Sequence, residues 1–208
     1  MRIGVIGAGW LGGAVGRQWV KTGHEVLFSS RHPERLKNFS RDLGSRASAG
    51  SVAEAATFGP VVLIATPHEA LAAIGRDHHE ALHGKIVLDA TNPWPSERFA
   101  RDAEKDGVGP TSARLLPGTR LVRAFSAVDA TAVEASAEGR GERLAVPLAG
   151  DDTEAVDTAV QLVRDAGCEP LVVGDLAAAR SFQRHGPGFR ANTNLARLRR
   201  LLGLADDA

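Results

Sequence analysis

The sequence predicts an α/β fold built on a doubly wound, mostly parallel sheet with helices on both faces. Three observations lead there. Strand-length apolar runs alternate with helix-length segments almost from end to end. Several runs, at 61–65 and 85–89 for instance, are nearly continuous in Val, Ile and Leu, as strands covered on both faces must be. A Gly-x-Gly-x-x-Gly turn joins the first run to the first helix.

The elements follow in order. A strand at 2–7 runs into the glycine turn, and a helix at 10–22 is stopped by Gly23 in the place of a C-terminal cap. A strand at 25–29 precedes Pro33, which suits the first turn of a helix reaching about residue 43, and a short strand lies around 46–48. Ser51 with Glu54 three residues on is a capping box for a helix at 52–57. After the strand at 61–65, Pro67 opens a single helix through about residue 82, and the strand at 85–89 follows. Residues 92–117 combine a Pro-rich loop, a charged helix at 97–105 and a turn at Pro117-Gly118. Strands at 120–125, 143–149 and 170–173 complete the sheet. Helices at 154–166, capped by Asp151 or Asp152, at 176–184, and at 194–202 with its basic face of Arg197, Arg199 and Arg200, finish the chain. Residues 1–126 read as a nucleotide-binding domain. Residues 127–208 read as a small C-terminal α/β extension that completes the sheet and an acceptor site within one compact unit.

Composition removes several function classes. Across 208 residues Lys+Arg and Asp+Glu balance at 25 each, so no global basic field exists to hold nucleic acid or an anionic membrane. The apolar stretches are strand-sized, and the first residues enter a strand pattern without a signal-peptide layout, so no membrane association is expected. A lone cysteine, Cys168, can close no internal disulfide and fits a reduced cytoplasm. There is no tyrosine, which excludes carbonyl protonation by a Tyr–Lys pair.

Gly7-Ala8-Gly9-Trp10-Leu11-Gly12 follows a strand and opens a helix, the context that turns a weak motif into a dinucleotide-binding βαβ unit, the Rossmann arrangement. Gly7 allows the tight turn, Gly9 lets backbone approach a pyrophosphate, and Gly12 lets helix pack on strand. The amides of Trp10 and Leu11 then face the phosphates at a helix N-terminus. The second strand ends in Ser29-Ser30-Arg31, where a ribose-binding Asp or Glu would stand for NAD; with Arg35 one helical turn on, these residues suit the 2′-phosphate of NADP(H). Ligands of such sheets lie beyond the carboxyl ends of the strands. Those ends carry Ala65-Thr66-Pro67-His68, Asp89 to Pro93, and Ser126, a polar but lightly charged pocket floor. Asn92 suits a nicotinamide carboxamide or a substrate ring, and equally a turn ahead of Pro93.

No side chain stands out as a catalytic acid or base, and His68 and Ser126 are the candidates. His68 could donate a proton; the reading favours instead an exposed residue in a first helical turn. His78, His79 and His83 share part of a helix face but lie far from the cofactor end, and read as solvated surface rather than a metal site. Asp151-Asp152 reads as a helix cap, and His185-Gly186-Pro187-Gly188 as a loop.

The order of the segments at 7–12, 29–31, 61–67, 87–93, 116–126, 149–152 and 174–180 resembles the NADP oxidoreductase, deazaflavin-coenzyme-dependent family, whose founding activity is reduced coenzyme F-420:NADP oxidoreductase. The likeness spans roughly 1–185. Leu116-Pro117-Gly118 through Arg123-Ala124-Phe125, Gly150-Asp151-Asp152 and Asp175 to Arg180 are its more specific parts. It implies a homodimer with NADP(H) on the glycine loop, Ser30, Arg31 and Arg35 at the adenosine phosphate, and a coenzyme F-420 or flavin ring near Thr91, Asn92 and Ser126. Hydride transfer between stacked rings needs positioning rather than acid–base groups, which fits a chain with none evident. Two alternatives stay open: an NADPH-dependent reductase of a quinone, an imine or another small acceptor, and a non-catalytic NADP(H)-binding redox sensor.

Overall fold

The computed structural model describes residues 1–96 and 98–204. Five strands and the segments between them come first: β1 (Arg2–Ile6), α1 (Trp10–Lys21), β2 (Glu25–Ser29), α2 (Lys37–Asp42), β3 (Ala47–Gly50), α3 (Val52–Phe58), β4 (Val61–Ile64), α4 (Leu71–Asp77), α5 (His79–Leu82) and β5 (Ile86–Asp89). Then come α6 (Ala100–Asp106), α7 (Val108–Leu115), β6 (Arg120–Arg123), α8 (Ala130–Ala137), β7 (Ala145–Gly150), α9 (Thr153–Asp165), β8 (Glu169–Gly174) and α10 (Leu195–Leu201). The strands form one sheet in the order β3-β2-β1-β4-β5-β6-β7-β8. Every neighbouring pair is parallel except β6 and β7. The chain reverses its direction of travel across the sheet between β1 and β4, the place where sheets of this kind leave a crevice between their loops.

Two apolar layers hold the helices to the sheet. On one face α1 and α9 bring Val15, Trp19, Ala159 and Leu162 against Val5, Val26, Leu63 and Leu88. On the other, α3, α4 and α5 bring Ala55, Leu71, Ile74 and Leu82 against Ile6, Val62, Ile64 and Val87. Alternate residues of one strand thus serve opposite layers, which is why the strands read as unbroken apolar runs. The Trp19 indole, fully buried, donates its N–H to the Leu162 carbonyl at 2.8 Å and so ties the first helix to α9.

Local signals account for most boundaries. Ser51 and Glu54 form the reciprocal capping box at α3, and Asp152 rather than Asp151 caps α9, accepting from the Ala155 amide. Asp151 instead accepts from the Leu176 amide at 2.9 Å.

Four expectations are corrected. The helix from Pro67 to 82 is three pieces, a 3-10 turn at His68–Ala70 followed by α4 and α5, with the break at His78. The segment after Pro33 begins as a 3-10 turn, Pro33–Leu36, before α2. The segment after Asp175 winds as a 3-10 helix, Leu176–Phe182. Finally, α7 stands between the expected charged helix and the turn at Pro117-Gly118, where no element was read: Gly109 weakens the local helix signal, and the helix packs so closely that a Cβ on Gly109 would lie 2.2 Å from the Leu176 carbonyl oxygen. The first residue of the charged helix expected at 97–105 lies outside the described residues; α6 covers its latter part. Among the described residues no helix is long and apolar enough to cross a membrane.

Candidate functional site

The crevice starts at the glycine turn. Gly7 has φ +96, and a Cβ there would lie 2.6 Å from the Ala65 carbonyl oxygen. The amides of Gly7 and Ala8 both donate to the Ser29 carbonyl, at 3.1 and 3.0 Å. At Gly12 a Cβ would come within 2.2 Å of the Gly7 oxygen, so this glycine is needed for packing. Gly9 differs: nothing lies within 4 Å of where its Cβ would be. No side chain caps α1, so the amides of its first turn are free to meet a ligand over Gly9. Trp10, 89% exposed, stands on that turn, while Leu11 packs inward against the core. The pocket of open space over Gly9, with uncapped donors below it, fits a pyrophosphate.

The residues after β2 divide into two kinds. Ser29 is fully buried and its hydroxyl donates to the Val5 carbonyl at 3.0 Å, so it holds the loop from beneath rather than presenting its hydroxyl to a ligand. Its place in the expected phosphate set is corrected on that ground. Ser30 accepts from the His32 amide, shaping the turn. Arg31 and Arg35 are exposed, and among the described residues neither is held in an ion pair, whereas His32 faces Glu34 at 3.5 Å. Two free guanidinium groups beside the second strand suit a phosphate dianion.

The far side of the crevice is built from the ends of β4, β5 and β6. Thr66 and Ala65 are half-buried, and the Thr66 hydroxyl donates to the Pro67 carbonyl at 3.2 Å. The floor is not lightly charged, as the sequence suggested, but carries a completely buried ion pair between Asp89 and Arg123. The Asp89 carboxylate also accepts from the Thr91 amide at 2.9 Å. Arg123 donates to the Thr91 carbonyl at 2.6 Å and to Asn92 Oδ1 at 3.3 Å. Asn92 in turn donates from Nδ2 to the Ser126 carbonyl at 2.6 Å. One guanidinium thereby ties the loop after β5 to the loop after β6. Burial raises the Asp89 pKa, but Arg123, Ser112, His68 and Thr91 together outweigh it and hold the carboxyl below its usual range. The pair was missed because both residues sit in apolar runs. A charged residue inside each of two neighbouring buried strands was the available signal.

His68 is corrected as well. It is fully buried, not exposed, with Nε2 3.3 Å from the Ser112 hydroxyl and its ring 6.5 Å from that of Phe99. Desolvation lowers its pKa to about 4, against the pull of Asp89, so it is neutral at physiological pH. Next to Ser126, Phe125 takes a left-handed backbone (φ 59) and meets Trp19 edge to face at 6.0 Å. That turn ends β6 abruptly and sets Ser126 over the loop. Four buried polar atoms here lack a partner among the described residues: His68 Nδ1, Thr91 Oγ1, Arg123 Nε and Ser126 Oγ. Such atoms are rare in an interior and mark a place for a polar ligand.

The histidines at 78, 79 and 83 lie away from this edge, with the rings of His79 and His83 5.9 Å apart. Among the described residues no group of three His, Cys, Asp or Glu could hold a metal ion. The chain on either side of the loop at 185–188 crosses back to the site: the Arg190 amide donates to the Ala127 carbonyl at 2.8 Å, and Arg184 Nε to the Pro93 carbonyl at 3.3 Å.

A glycine cradle at the sheet's reversal, basic residues after β2 and unpartnered polar atoms across the crevice are the features of a nicotinamide-dinucleotide site. Residues 2–93 match the family described as NADP oxidoreductase, coenzyme F420-dependent. The matched region of this NADP oxidoreductase family takes in the glycine cradle, both free arginines and Asn92. Among solved structures the chain is similar to the hypothetical protein SMa0349 of Sinorhizobium meliloti, with a TM-score of 0.80 and 26% identity over 94% of this chain and 95% of that one. It also shares its fold with a protein of Arthrobacter sp. FB24 proposed to be an F420-dependent NADP reductase, with a TM-score of 0.73, 23% identity, and 98% and 95% of the two chains covered. Metalloreductase STEAP3 of Rattus norvegicus is 27% identical over 94% of this chain, which spans only 39% of that protein's length. The family that residues 2–93 match is described as one of NADP oxidoreductases, and the fold of this chain is Rossmann-like.

Proposed function

We propose that this protein transfers a hydride between NADP(H) and a flavin-like ring, with the deazaflavin coenzyme F-420 as the leading acceptor. One observation carries the reading: among the described residues the polar groups of the crevice are placed to hold and orient. His68, its one buried imidazole, is kept neutral, and the chain has no tyrosine. NADPH when bound supplies the hydride from its nicotinamide ring. Gly7, Gly9, Trp10, Leu11 and Gly12 take the pyrophosphate, and Ser30, Arg31 and Arg35 the 2′-phosphate. Ala65, Thr66 and Pro67 flank the ribose and ring on the β4 side. Asn92, Ser126 and Thr91 offer an amide and two hydroxyls to the nicotinamide carboxamide and the acceptor ring. Asp89 and Arg123 hold that loop still, which is where positioning contributes to rate.

The likeness to a metalloreductase along nearly the whole chain favours a second reading, in which a metal ion takes electrons from the reduced ring. We further propose that the protein acts in the cytoplasm as a homodimer, with Val172 on the edge strand β8 and Leu201 on α10, both exposed, at the contact.

The test is NADPH oxidation by the purified protein with coenzyme F-420, FMN, FAD, a quinone and ferric citrate offered in parallel. Fast turnover with F-420 or a flavin supports ring-to-ring transfer. Turnover with the quinone alone moves the protein to a sister reductase. Tight NADPH binding with no turnover on any acceptor makes it a sensor.

A further inference from the structure

A cavity of about 920 Å³ lies beside the crevice rather than over the glycine cradle. It begins at Pro93, next in the chain to Asn92, and is walled by α6, the 3-10 helix Leu176–Phe182 and the loop that follows it. Its size is that of a site for a cofactor-sized molecule.

Its walls are cationic in a specific way. Arg184 lies with its guanidinium carbon 4.2 Å from the centre of the Trp94 ring and 5.3 Å from that of Phe189, and its Nε is spent on the Pro93 carbonyl. Among the described residues no carboxylate pairs with it. Arg101 also lines the cavity, exposed and without an ion pair among the described residues. Arg180 is different, because both its terminal nitrogens donate to the Glu104 and Lys105 carbonyls at the end of α6. Among the described residues Glu104 is the single acid in the wall. A guanidinium held against two aromatic rings keeps its charge but gives up rotamer freedom, and its remaining N–H groups form a planar fork. That fork matches the oxygens of a phosphate far better than it matches a neutral group.

We propose that this cavity receives the phosphate-bearing side arm of the acceptor, with Arg184 as its principal contact and Arg101 as a second. The inference rests on the reading of a ring acceptor at Asn92 and Ser126, and it adds a rule of selection. Of two acceptors with the same ring, the protein takes the one whose arm ends in phosphate.

The test uses the whole chain saturated with NADP+ and two matched pairs of ligands: FMN with riboflavin, and coenzyme F-420 with its phosphate-free deazariboflavin. Binding is followed by ligand fluorescence. The phosphate-bearing member of the pair that binds should bind at least about tenfold more tightly. Arg184→Gln should abolish that preference, Arg184→Lys should retain part of it, and Arg101→Gln should weaken it to a smaller degree. If Arg184→Gln fails to fold, Arg101→Gln and the loss of the preference between low and high salt carry the test. Equal binding within both pairs, a preference that survives at both arginine variants, or binding of none of the four ligands would overturn the proposal. Phosphate-dependent binding without NADPH oxidation would keep the cavity assignment and remove hydride transfer. Turnover with equal KM within each pair would do the reverse.

Discussion

An alanine at position 9 adds one methyl group where the free protein has room for it and the bound cofactor does not. Gly9 has φ −78 and ψ −157, a conformation open to any L-residue, and nothing lies within 4 Å of the new Cβ. Gly9→Ala therefore costs the folded state no strain and removes freedom from the unfolded chain, a gain of about 0.4–1 kcal/mol. For a chain of this length that raises Tm by about 1–4 °C. The methyl also occupies the space above the uncapped amides of α1. Displacing a pyrophosphate from one such charge-assisted hydrogen bond costs about 1.5–3 kcal/mol, or roughly 10- to 100-fold in affinity. Stability and affinity thus move in opposite directions. Gly12→Ala is the control, because its Cβ would lie 2.2 Å from the Gly7 oxygen, and overpacking of that kind costs about 1–3 kcal/mol or more before any ligand is added. Differential scanning calorimetry and NADP+ titration on the same samples read both effects. A Gly9→Ala protein with raised Tm and unchanged NADP+ affinity would refute the cradle and place the phosphates elsewhere.

The remaining expectations concern the crevice walls. Asp89→Ala leaves the Arg123 guanidinium buried without its counter-ion and should cost about 3–5 kcal/mol, seen as a Tm lower by about 6–20 °C, while Asp89→Leu with Arg123→Met recovers part of that stability but not the hold on Asn92. His68 has its folded pKa lowered to about 4 from 6.5, so the unfolded chain takes up the proton first. Stability should fall as pH drops from about 6.5 to 4, by an amount on the order of 3 kcal/mol, and His68→Gln should flatten that slope in denaturant titrations. Arg31→Ala should raise KM for NADPH about 10- to 100-fold and leave NADH nearly unchanged; equal losses for the two would remove Arg31 from the 2′-phosphate. Ser126→Ala deletes a buried hydroxyl that has no partner, so Tm should hold or rise while KM for the acceptor or NADPH increases; an unchanged KM would mean that nothing binds there.

The glycine cradle, the two free arginines and seven of the strands were legible because their causes are local. A strand covered on both faces must be apolar throughout, a pyrophosphate needs backbone without a Cβ at Gly9, and a capping box such as Ser51–Glu54 is written within four residues. The charged pair escaped for the opposite reason. Asp89 and Arg123 are 34 residues apart and meet only because β5 and β6 are neighbours in the sheet, with Asp89 and Arg123 in register. The burial of His68 likewise depends on α7 arriving above it with Ser112, and α7 itself carries the poor helix former Gly109 where the segment at Leu176 packs against it.

By itself, then, the sequence determined the layered α/β fold, and it carried the glycine turn and the two arginines that the proposed function assigns to NADP(H), since each depends on residues adjacent in the chain. Tertiary structure alone decided which polar groups are spent and which are free. Ser29 is used up beneath the loop, Asn92 is clamped by a buried arginine, and Arg184 is carried back from the end of the chain to lie between two aromatic rings at the cavity. A hydrogen bond or an ion pair between distant segments leaves no periodicity in the sequence; it comes into being only when the sheet order brings its two partners together.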